Sequence, residues 1–419
     1  MKKKSKYKIG ILSLGCPRNL VDSESVLGQI RLKGYPITDI DKADIAVVNT
    51  CAFIKEAKEE SVEAILDLIE RKQRGKLKKI IVFGCLVQRY KDELIRELPE
   101  IDVFVGRVAL NGGLSNFALT PRHYRYLKVC EGCINNCSYC IIPKIKGKFA
   151  SLDLKTVLDK VDKFDKSAIS ELNIIGQDIT GYGWDLYGRV KLAELLSKIA
   201  QRIHNIGWVR LLYLYPSRVN RELIEVIRDE PRICKYIDLP IQHINNRILR
   251  LMWRSMRKED ILRLIDTIRK KIPQVALRTS IIVGFPSETD KEFQELLSLL
   301  EEVKFERLGA FMYSREEGTP AFDFKGQIPK EIKQERLDAV MAKQQRVSLE
   351  VNKRFMGKVM DVLVEAKENN AYLGRTQYDA PEVDGLVYLS SKKALKAGDF
   401  VKARVTDTLE YDLVAEAVS

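Results

Sequence analysis

The sequence contains no hydrophobic run long enough to cross a membrane. A transmembrane helix needs about 18 consecutive apolar residues, whereas runs such as the one from Ile281 to Phe285 are soon interrupted by polar residues. Acidic residues are also in deficit, with 58 Asp and Glu against 71 Lys and Arg, for a net charge of +13. The sequence therefore predicts a protein without a membrane span, and its charge makes an anionic partner such as RNA a hypothesis to be tested.

The length and the cysteine content narrow the class of protein further. A chain of 419 residues with 45% hydrophobic residues is long and apolar enough for two to four domains with their own cores, which excludes a disordered chain and a single small module. Eight cysteines in a chain of this size are typical of a reducing compartment, where they act as metal ligands or catalysts more often than as disulfides. We therefore expect a cytoplasmic protein whose chemistry lies at its cysteines.

Three cysteines in the first part of the chain each follow a short apolar run that predicts a buried strand. These runs are YKIGILSLG before Cys16, ADIAVVNT before Cys51 and KKIIVFG before Cys85. Helical patterns follow, of which the amphipathic stretch over residues 55–73 is the strongest, so alternating strands and helices predict a parallel sheet. Because ligands bind beyond the carboxyl ends of such strands, we expect the three thiols to converge on one site. Three thiolates leave a metal ion or a cluster iron with one open position.

A second group of cysteines lies in the segment CEGCINNCSYC, over residues 130–140. Cys133, Cys137 and Cys140 have the spacing C-x-x-x-C-x-x-C, which resembles the radical S-adenosylmethionine (SAM) signature. A short loop of this kind can wrap one cubane cluster while leaving one iron free. The alternative is a structural zinc site with Cys130 as fourth ligand, although zinc ribbons usually separate their two cysteine pairs by about 15 to 20 residues. Cys130 and Cys234 are predicted to be structural.

The region over residues 121–350 alternates strand-like and helical segments and predicts a partial parallel barrel. Its strand-like segments include ELNIIGQD, VRLLYLYP, YIDLPIQH, LRTSIIVGF and RLGAFMYS. Barrel enzymes place substrate-binding groups at the carboxyl ends of their strands. The polar residues expected there are Gln177, Asp178, Arg218, Gln242, His243, Arg278 and Ser280.

The last region, residues 351–419, predicts a small β-barrel of five short strands. A helical stretch from Pro329 to about Arg354 precedes it, and we expect that stretch to be a connector outside the cores. The barrel has ten Lys and Arg against eleven Asp and Glu, so it lacks the basic surface of a phosphate-binding domain. Asp379, Glu382 and Asp384 make the segment YDAPEVDG acidic, which predicts a surface that attracts a basic protein rather than RNA.

Taken together, these segments resemble the radical-SAM methylthiotransferase family over essentially the whole chain. The family has an N-terminal cluster domain, a central partial barrel and a C-terminal TRAM barrel, here expected at residues 1–120, 121–350 and 351–419. The segments that carry the resemblance are LGCPRNLVDSE, NTCAFI, EGCINNCSYCIIP, GQDITGYG, LLYLYPSR, LPIQHINNRILRLMWR, TSIIVGFPSET, YSREEGTPA and DAPEVDG.

The resemblance implies two four-iron four-sulfur clusters. One, on Cys133, Cys137 and Cys140, binds and cleaves SAM; the other, an auxiliary cluster, is held by the earlier three cysteines, Cys16, Cys51 and Cys85. Candidate SAM contacts are Tyr139, Gln177, Asp178, Arg278 and Ser280.

The implied reaction adds a methylthio group to the β-carbon of an aspartate in the twelfth protein of the small ribosomal subunit. This basic protein, the ribosome and a reductant for the clusters are the expected partners. An alternative is the same chemistry on adenosine in transfer RNA, although that branch of the family tends to have a G-C-Q-M-N type sequence where this chain has GCPRN. An alternative from another class is a nonenzymatic iron-sulfur or zinc protein that binds RNA.

Overall fold

The first region folds as a parallel α/β sheet in the computed structural model, which describes residues 7–110, 117–167, 169–369 and 371–418. All neighbouring strands are parallel, in the order β1-β2-β3-β4. The helix expected over residues 55–73 is confirmed and buries Ile65, Leu68 and Ile69 against the sheet. The elements are β1 (Ile9–Ser13), α1 (Pro17–Leu32), β2 (Ile45–Thr50), α2 (Lys55–Gln73), β3 (Lys79–Gly84), α3 (Cys85–Glu97) and β4 (Val103–Val105).

The second region is a partial barrel made of two parallel sheets, β5-β8-β9 and β10-β11-β12. Burial alternates along β11: Thr279 and Ile281 are buried under the helices, whereas Arg278 and Ser280 are half-buried and share the opposite face. The elements are β5 (Tyr124–Lys128), β6 (Cys130–Glu131), α4 (Ile142–Lys146), β7 (Ala150–Ser151), α5 (Leu154–Lys166), β8 (Glu171–Ile175), α6 (Trp184–Tyr187), α7 (Leu192–Arg202), β9 (Trp208–Leu211), α8 (Arg221–Asp229), β10 (Tyr236–Asp238), α9 (Asn246–Leu251), α10 (Lys258–Lys271), β11 (Ala276–Val283), α11 (Asp290–Val303), β12 (Arg307–Met312) and α12 (Lys330–Asn352).

The long helix α12 is part of the central core, so the expectation of a connector outside the cores is wrong. Val340 is fully buried and belongs to the main hydrophobic cluster of the barrel. Gln344 Nε2 donates a hydrogen bond to the carbonyl of Phe305, 2.9 Å away, at the edge of β12. The charged composition of the helix hides its apolar side, because only a few positions face the barrel. None of the helices in the described ranges is long and apolar enough to span a membrane.

The third region is a closed barrel in which the strands follow the order β13-β14-β15-β17-β16. All pairs are antiparallel except β15 and β17, which close the barrel as a parallel pair. Its apolar residues form one cluster with aromatic residues of the central strands, and Phe400 packs edge-on against Trp208. The elements are β13 (Val359–Glu368), β14 (Ala371–Thr376), β15 (Val387–Ser390), β16 (Phe400–Thr408) and β17 (Leu413–Ala417).

The acidic segment of this barrel faces the central region, which overturns its interpretation as a docking surface for a basic protein. Asp379 is 2% exposed and accepts a hydrogen bond from Arg307 Nε at 2.7 Å. Asp384 forms an ion pair with Arg278 at 3.3 Å and accepts a hydrogen bond from the Tyr236 hydroxyl.

The third acidic residue of the segment also has a partner in the central region. The side chain of Glu382 accepts a hydrogen bond from the Tyr124 hydroxyl, at 2.7 Å. Glu382 is itself exposed, so this contact lies at the rim of the interface, whereas Asp379 is buried in it. Because the partners stand far away along the chain, the local sequence could not reveal them, and the segment holds two domains together.

Candidate functional site

The structure brings Cys16, Cys51 and Cys85 together at the carboxyl end of the N-terminal sheet. Each follows its strand directly or after a short turn, at the ends of β1, β2 and β3. The thiol of Cys51 lies close enough to interact electrostatically with Cys16, and the thiol of Cys85 interacts with both. We call these three residues the strand-end triplet.

Two glycines allow the strand ends to approach this closely. Gly15 has φ of +88°, and a Cβ atom there would lie 2.8 Å from Cβ and 3.0 Å from Sγ of Cys51. Gly84, directly before Cys85, has φ of +103°, and a Cβ atom there would collide with the Asn49 side chain and the Thr50 carbonyl. A side chain at either position would therefore be strained and would push the strand ends apart.

Two asparagines that the sequence analysis did not single out tie the same strand ends together. Asn19 Nδ2 donates hydrogen bonds to the carbonyls of Leu14, at 3.0 Å, and Thr50, at 3.2 Å. Asn49 Nδ2 donates to the carbonyl of Asn19 at 2.7 Å and to the Ser23 hydroxyl at 2.9 Å. Both asparagines are buried. The sequence feature that could have identified them is their position, because Asn19 lies in LGCPRNLVDSE near Cys16 and Asn49 lies at the end of β2 near Cys51.

The surroundings of the strand-end triplet act on its thiols in opposite directions. Burial raises the pKa of Cys16, but the Arg18 guanidinium and the backbone amides of Arg18 and Asn19 outweigh it, and the pKa is lowered. Burial raises the pKa of Cys85 to about 12, although Lys146 opposes the shift. Burial likewise raises the pKa of Cys51. A metal that binds this triplet must therefore displace protons from at least two thiols.

Cys133, Cys137 and Cys140 lie on one loop between β6 and α4, and we call them the loop triplet. Their side chains are near enough to interact electrostatically with one another. Asn135 supports Cys133, since its backbone N and its Nδ2 both donate to the Cys133 thiol, at 3.4 and 3.3 Å. Burial raises the pKa of Cys133, and it raises that of Cys140 to about 12.

Two arginines, both missed by the sequence analysis, serve the two triplets in a similar way. Arg18 Nε donates to the Cys16 thiol at 3.2 Å, and its guanidinium lies 4.4 Å from the ring centre of Tyr213. Arg254 Nη1 approaches the Cys137 thiol at 3.9 Å, and its guanidinium lies 4.1 Å from the ring centre of Tyr215. Both tyrosines belong to the segment that follows β9, so one stretch of the barrel rim orients a cation toward each triplet.

The donor set fits iron-sulfur clusters. Cysteine thiolates are the usual ligands of such clusters, and the cations beside both triplets offset the negative charge that thiolates bring. Within the described ranges, no group of three or more His, Cys, Asp or Glu side chains has the arrangement that holds a single metal ion. A cubane needs no such convergence, because its three protein thiolates bind three different irons.

The candidate SAM contacts differ in whether their polar groups already have hydrogen-bond or ion-pair partners in the protein. Gln177 follows β8, and both polar atoms of its amide are buried without a hydrogen-bond partner in the described part of the chain. A buried amide without a partner is unfavourable, so the amide of Gln177 has donor and acceptor groups available for a ligand. Tyr139 packs against a small apolar cluster beside the loop triplet, where the Arg254 charge also acts on it.

Asp178, Arg278 and Ser280 have different surroundings. Asp178 accepts one hydrogen bond from Asn135 Nδ2 at 2.8 Å and forms an ion pair with Arg218, so it fixes the residue that supports Cys133. Arg278 is engaged with Asp238 at 3.2 Å as well as with Asp384. Ser280 is half-buried on the same face of β11 as Arg278. A SAM contact stays a prediction for all five candidates.

The other strand-end residues and the remaining cysteines have structural surroundings. Gln242 adopts φ of +72° where its chain turns after β10. His243 is fully buried, and its Nδ1 accepts a hydrogen bond from the backbone N of Asn245 at 3.0 Å. Cys130 belongs to the main barrel core, and Cys234 to the core shared with the third region. Both cysteines are therefore structural, as expected.

Models of three families match successive parts of the chain. Residues 8–106 match uncharacterized protein family UPF0004, residues 127–300 match the radical SAM superfamily, and residues 356–418 match the TRAM domain. These ranges contain the N-terminal sheet, the larger part of the central barrel and the closed C-terminal barrel.

Among curated proteins, the chain is similar over its full length to enzymes named ribosomal protein uS12 methylthiotransferase RimO. It is 45% identical to the one from Clostridioides difficile, with 98% of this chain and 99% of the relative covered. It is 44% identical to the one from Geobacter sulfurreducens, with 99% of both chains covered. The two alternatives raised by the sequence, a transfer-RNA methylthiotransferase and a nonenzymatic RNA-binding protein, gain no support from these relatives.

Solved structures share the fold at low sequence identity. The radical S-adenosylmethionine methyltransferase TsrM from Kitasatospora setae, solved with cobalamin and a [4Fe-4S] cluster bound, aligns with a TM-score of 0.55 at 12% identity and covers 75% of this chain and 76% of its own. The cobalamin-dependent S-adenosylmethionine radical enzyme OxsB aligns with a TM-score of 0.51 at 12% identity, over 80% of this chain and 56% of its own. These likenesses show the radical-SAM fold.

Proposed function

We propose that this chain, which belongs to the radical-SAM methylthiotransferase family, transfers a methylthio group to the β-carbon of an aspartate in ribosomal protein uS12. The observation that carries the proposal is the pair of thiol triplets with Arg18 between them. Arg18 interacts electrostatically with Cys16 and Cys51 of the strand-end triplet and with Cys140 of the loop triplet. Two thiol triplets that share one neighbouring cation suit a reaction that needs both at one substrate carbon.

Replacing hydrogen by sulfur at an unactivated carbon requires a cofactor, since no side-chain acid or base removes such a hydrogen. When bound, a SAM cluster with SAM supplies the radical that removes the hydrogen, and an auxiliary cluster supplies the sulfur. Cys133, Cys137 and Cys140 would hold the first of these, and the strand-end triplet the second. This division is inferred from the loop spacing and the strand-end positions.

The chain's own residues position these groups. Asn19 and Asn49 hold the strand ends, and Asn135 donates to the Cys133 thiol. Because burial raises the pKa of Cys85 and of Cys140 to about 12, both thiols hold their protons near neutral pH, and a metal that binds there must displace those protons. Assembly of the site is therefore expected to release protons.

We infer that Gln177, Tyr139 and Ser280 are the direct SAM contacts among the five candidates. The orphaned amide of Gln177 is the strongest support. Asp178 would act through Asn135, whereas Arg278 already has two carboxylate partners. The proposed domains are residues 1–120, 121–350 and 351–419.

The proposed partners and location follow from the same reaction. The substrate uS12 would be met free or in the ribosome, in the cytoplasm, and a cellular reductant would be needed for the clusters. The third domain has no acidic docking surface at Asp379 and Asp384, so recognition of a basic substrate must use other residues.

The test compares uS12 and transfer RNA from cells with and without the gene. We expect uS12 to lose a mass equal to one methylthio group replacing hydrogen when the gene is deleted, and the transfer RNA to be unchanged. Reconstituted enzyme with SAM and a reductant should restore the modification on uS12 alone. Modification of the RNA with unchanged uS12 would establish the transfer-RNA activity instead.

A further inference from the structure

Arg18 reaches from the N-terminal domain into the mouth of the central barrel. Its Nε atom donates to the Cys16 thiol at 3.2 Å, and its Nη1 atom donates to the carbonyl of Gly176 at 3.3 Å. The ring of Tyr213 supports the guanidinium plane, with 4.4 Å between the guanidinium carbon and the ring centre. Tyr213 itself is held in a left-handed conformation, with φ of +67°, and its backbone N donates to Asp238 at 2.8 Å. The position of the Arg18 charge is therefore built by three segments of the chain.

The charge of Arg18 has no carboxylate partner among the described residues. No Asp or Glu oxygen there lies within 4.0 Å of its nitrogens. By contrast, the barrel arginines Arg218, Arg278 and Arg307 each form an ion pair. A guanidinium has five N–H donors, and two contacts leave donors of Arg18 available.

Arg18, which has no carboxylate partner in the described ranges, lies between the two triplets, and the proposed reaction needs both triplets at one substrate carbon. In the proposed reaction, one hydrogen atom would be removed from the substrate carbon on the side of the loop triplet, and the sulfur that replaces it would be bonded to that carbon on the side of the strand-end triplet. Arg18 interacts with thiols of both. Arg254, which also lacks a carboxylate partner in the described ranges, interacts with Tyr139, Cys137 and Tyr215 instead. Of the two cations, Arg18 is thus the one between the triplets.

We propose that Arg18 binds the side-chain carboxylate of the substrate aspartate and thereby sets the position of its β-carbon. The inference rests on the proposed function, in which the reacting carbon is bonded directly to that carboxylate. Guanidinium and carboxylate groups form paired, directional hydrogen bonds. Anchoring the carboxylate therefore fixes the neighbouring carbon between the two triplets, and it makes the site selective for aspartate over asparagine at the target position.

The experiment measures affinity rather than turnover. Holoenzyme, in wild-type form and as Arg18→Met, Arg18→Lys and Arg31→Met, is titrated with purified uS12 and with uS12 whose target aspartate is changed to asparagine. Arg31 lies exposed on the same helix, so Arg31→Met removes the same charge away from the site. Iron content is measured for each variant.

Wild type and Arg31→Met should bind the aspartate form about tenfold or more tightly than the asparagine form, as charge-assisted hydrogen bonds do. Arg18→Met should abolish that preference without weakening the asparagine form, and Arg18→Lys should keep part of it. Equal preference in wild type and Arg18→Met would overturn the inference, even if the potential of the auxiliary cluster has shifted. If Arg18→Met loses iron, the test depends on Arg18→Lys, which keeps the positive charge. Complete loss of the preference for the aspartate form in an Arg18→Lys enzyme that retains its iron would contradict the inference.

Failure of the proposed function has a separate signature. In that case wild-type enzyme leaves uS12 unmodified whatever the affinities are. An enzyme that modifies uS12 but binds the aspartate and asparagine forms equally overturns only the role of Arg18.

Discussion

The loop triplet and the strand-end triplet present similar thiols, but the chain builds them differently. Cys133, Cys137 and Cys140 lie within eight residues of one another on a single loop, and a nearby asparagine supports the first of them. The strand-end triplet joins three strands whose cysteines are about 35 residues apart, and buried asparagines and glycines keep those strands together. A local site depends on its loop, whereas a distributed site depends on the packing of a whole sheet.

The two sites also differ in how their surroundings shift the pKa of the first cysteine. Arg18 and helix amides lower the pKa of Cys16, whereas burial and Asp178 raise the pKa of Cys133. One segment after β9 nevertheless supports the cation at each site, through Tyr213 and Tyr215. The two sites are thus built by separate parts of the chain, while one segment orients the cation at each of them.

The largest effect is expected from removing each triplet in turn. Changing the three loop cysteines to Ala should abolish reductive cleavage of SAM, while changing Cys16, Cys51 and Cys85 to Ala should leave cleavage and abolish the methylthio product. Either triple variant should halve the iron from about eight to about four per chain, because each cubane holds four. Anaerobic reconstitution, iron analysis and product chromatography measure these quantities. Loss of both activities from a folded strand-end variant would show that the sites are not functionally separate.

The second largest effect is expected on the free energy of unfolding, when the ion pair between Asp379 and Arg307 is broken, and it should involve neither triplet. Asp379→Asn leaves Arg307 buried without its charged partner and should lower the free energy of unfolding by about 3 to 5 kcal/mol. The exposed pair of Asp361 and Lys402 gives the matched control, and Asp361→Asn should change stability by about 1 kcal/mol or less. Chemical denaturation measures both, and iron content at low temperature should stay unchanged. If Asp379→Asn left the free energy of unfolding unchanged, this ion pair would not hold the third domain.

A smaller effect should distinguish the scaffolds of the two triplets. Asn19→Ala leaves buried carbonyls without donors and should lower the free energy of unfolding by about 1 to 3 kcal/mol. It should reduce the iron bound at the strand-end triplet and spare SAM cleavage. Asn135→Ala, at the loop triplet, should do the reverse and impair SAM cleavage first. Identical iron loss and identical cleavage in the two variants would contradict separate scaffolds.

The smallest effect is a difference in thiol reactivity in the metal-free protein. Because the pKa of Cys16 is lowered and that of Cys140 is raised to about 12, the Cys16 thiolate forms at lower pH. Alkylation of Cys16 should therefore level off at a lower pH than that of an ordinary cysteine thiol, whereas alkylation of Cys140 should still increase where that of Cys16 has become constant. Peptide mass spectrometry measures the two rates. Arg18→Met should move the Cys16 profile to higher pH, and an unchanged profile would remove Arg18 as the cause.

Much of the fold could be predicted from local patterns. The apolar runs before Cys16, Cys51 and Cys85 are strands β1, β2 and β3, and the amphipathic stretch over residues 55–73 is α2. These elements follow from the periodicity of apolar residues, which burial on one face or in a sheet requires. The sequence predicts that α12 is a helix but not that it belongs to the core, because its few core-facing positions lie among many charged residues.

The sequence by itself determined the two groups of cysteines, the parallel strands that end at the first group and the compact loop that contains the second. Spacing and periodicity are local, so they can be recognised without knowing the neighbours in space. Only the tertiary structure decided that Asp379 and Asp384 face arginines of another domain and that Arg18 lies between the two triplets without a carboxylate partner in the described ranges. The environment of a charge depends on residues far away in the chain, and the energy of a buried charge is set by those partners.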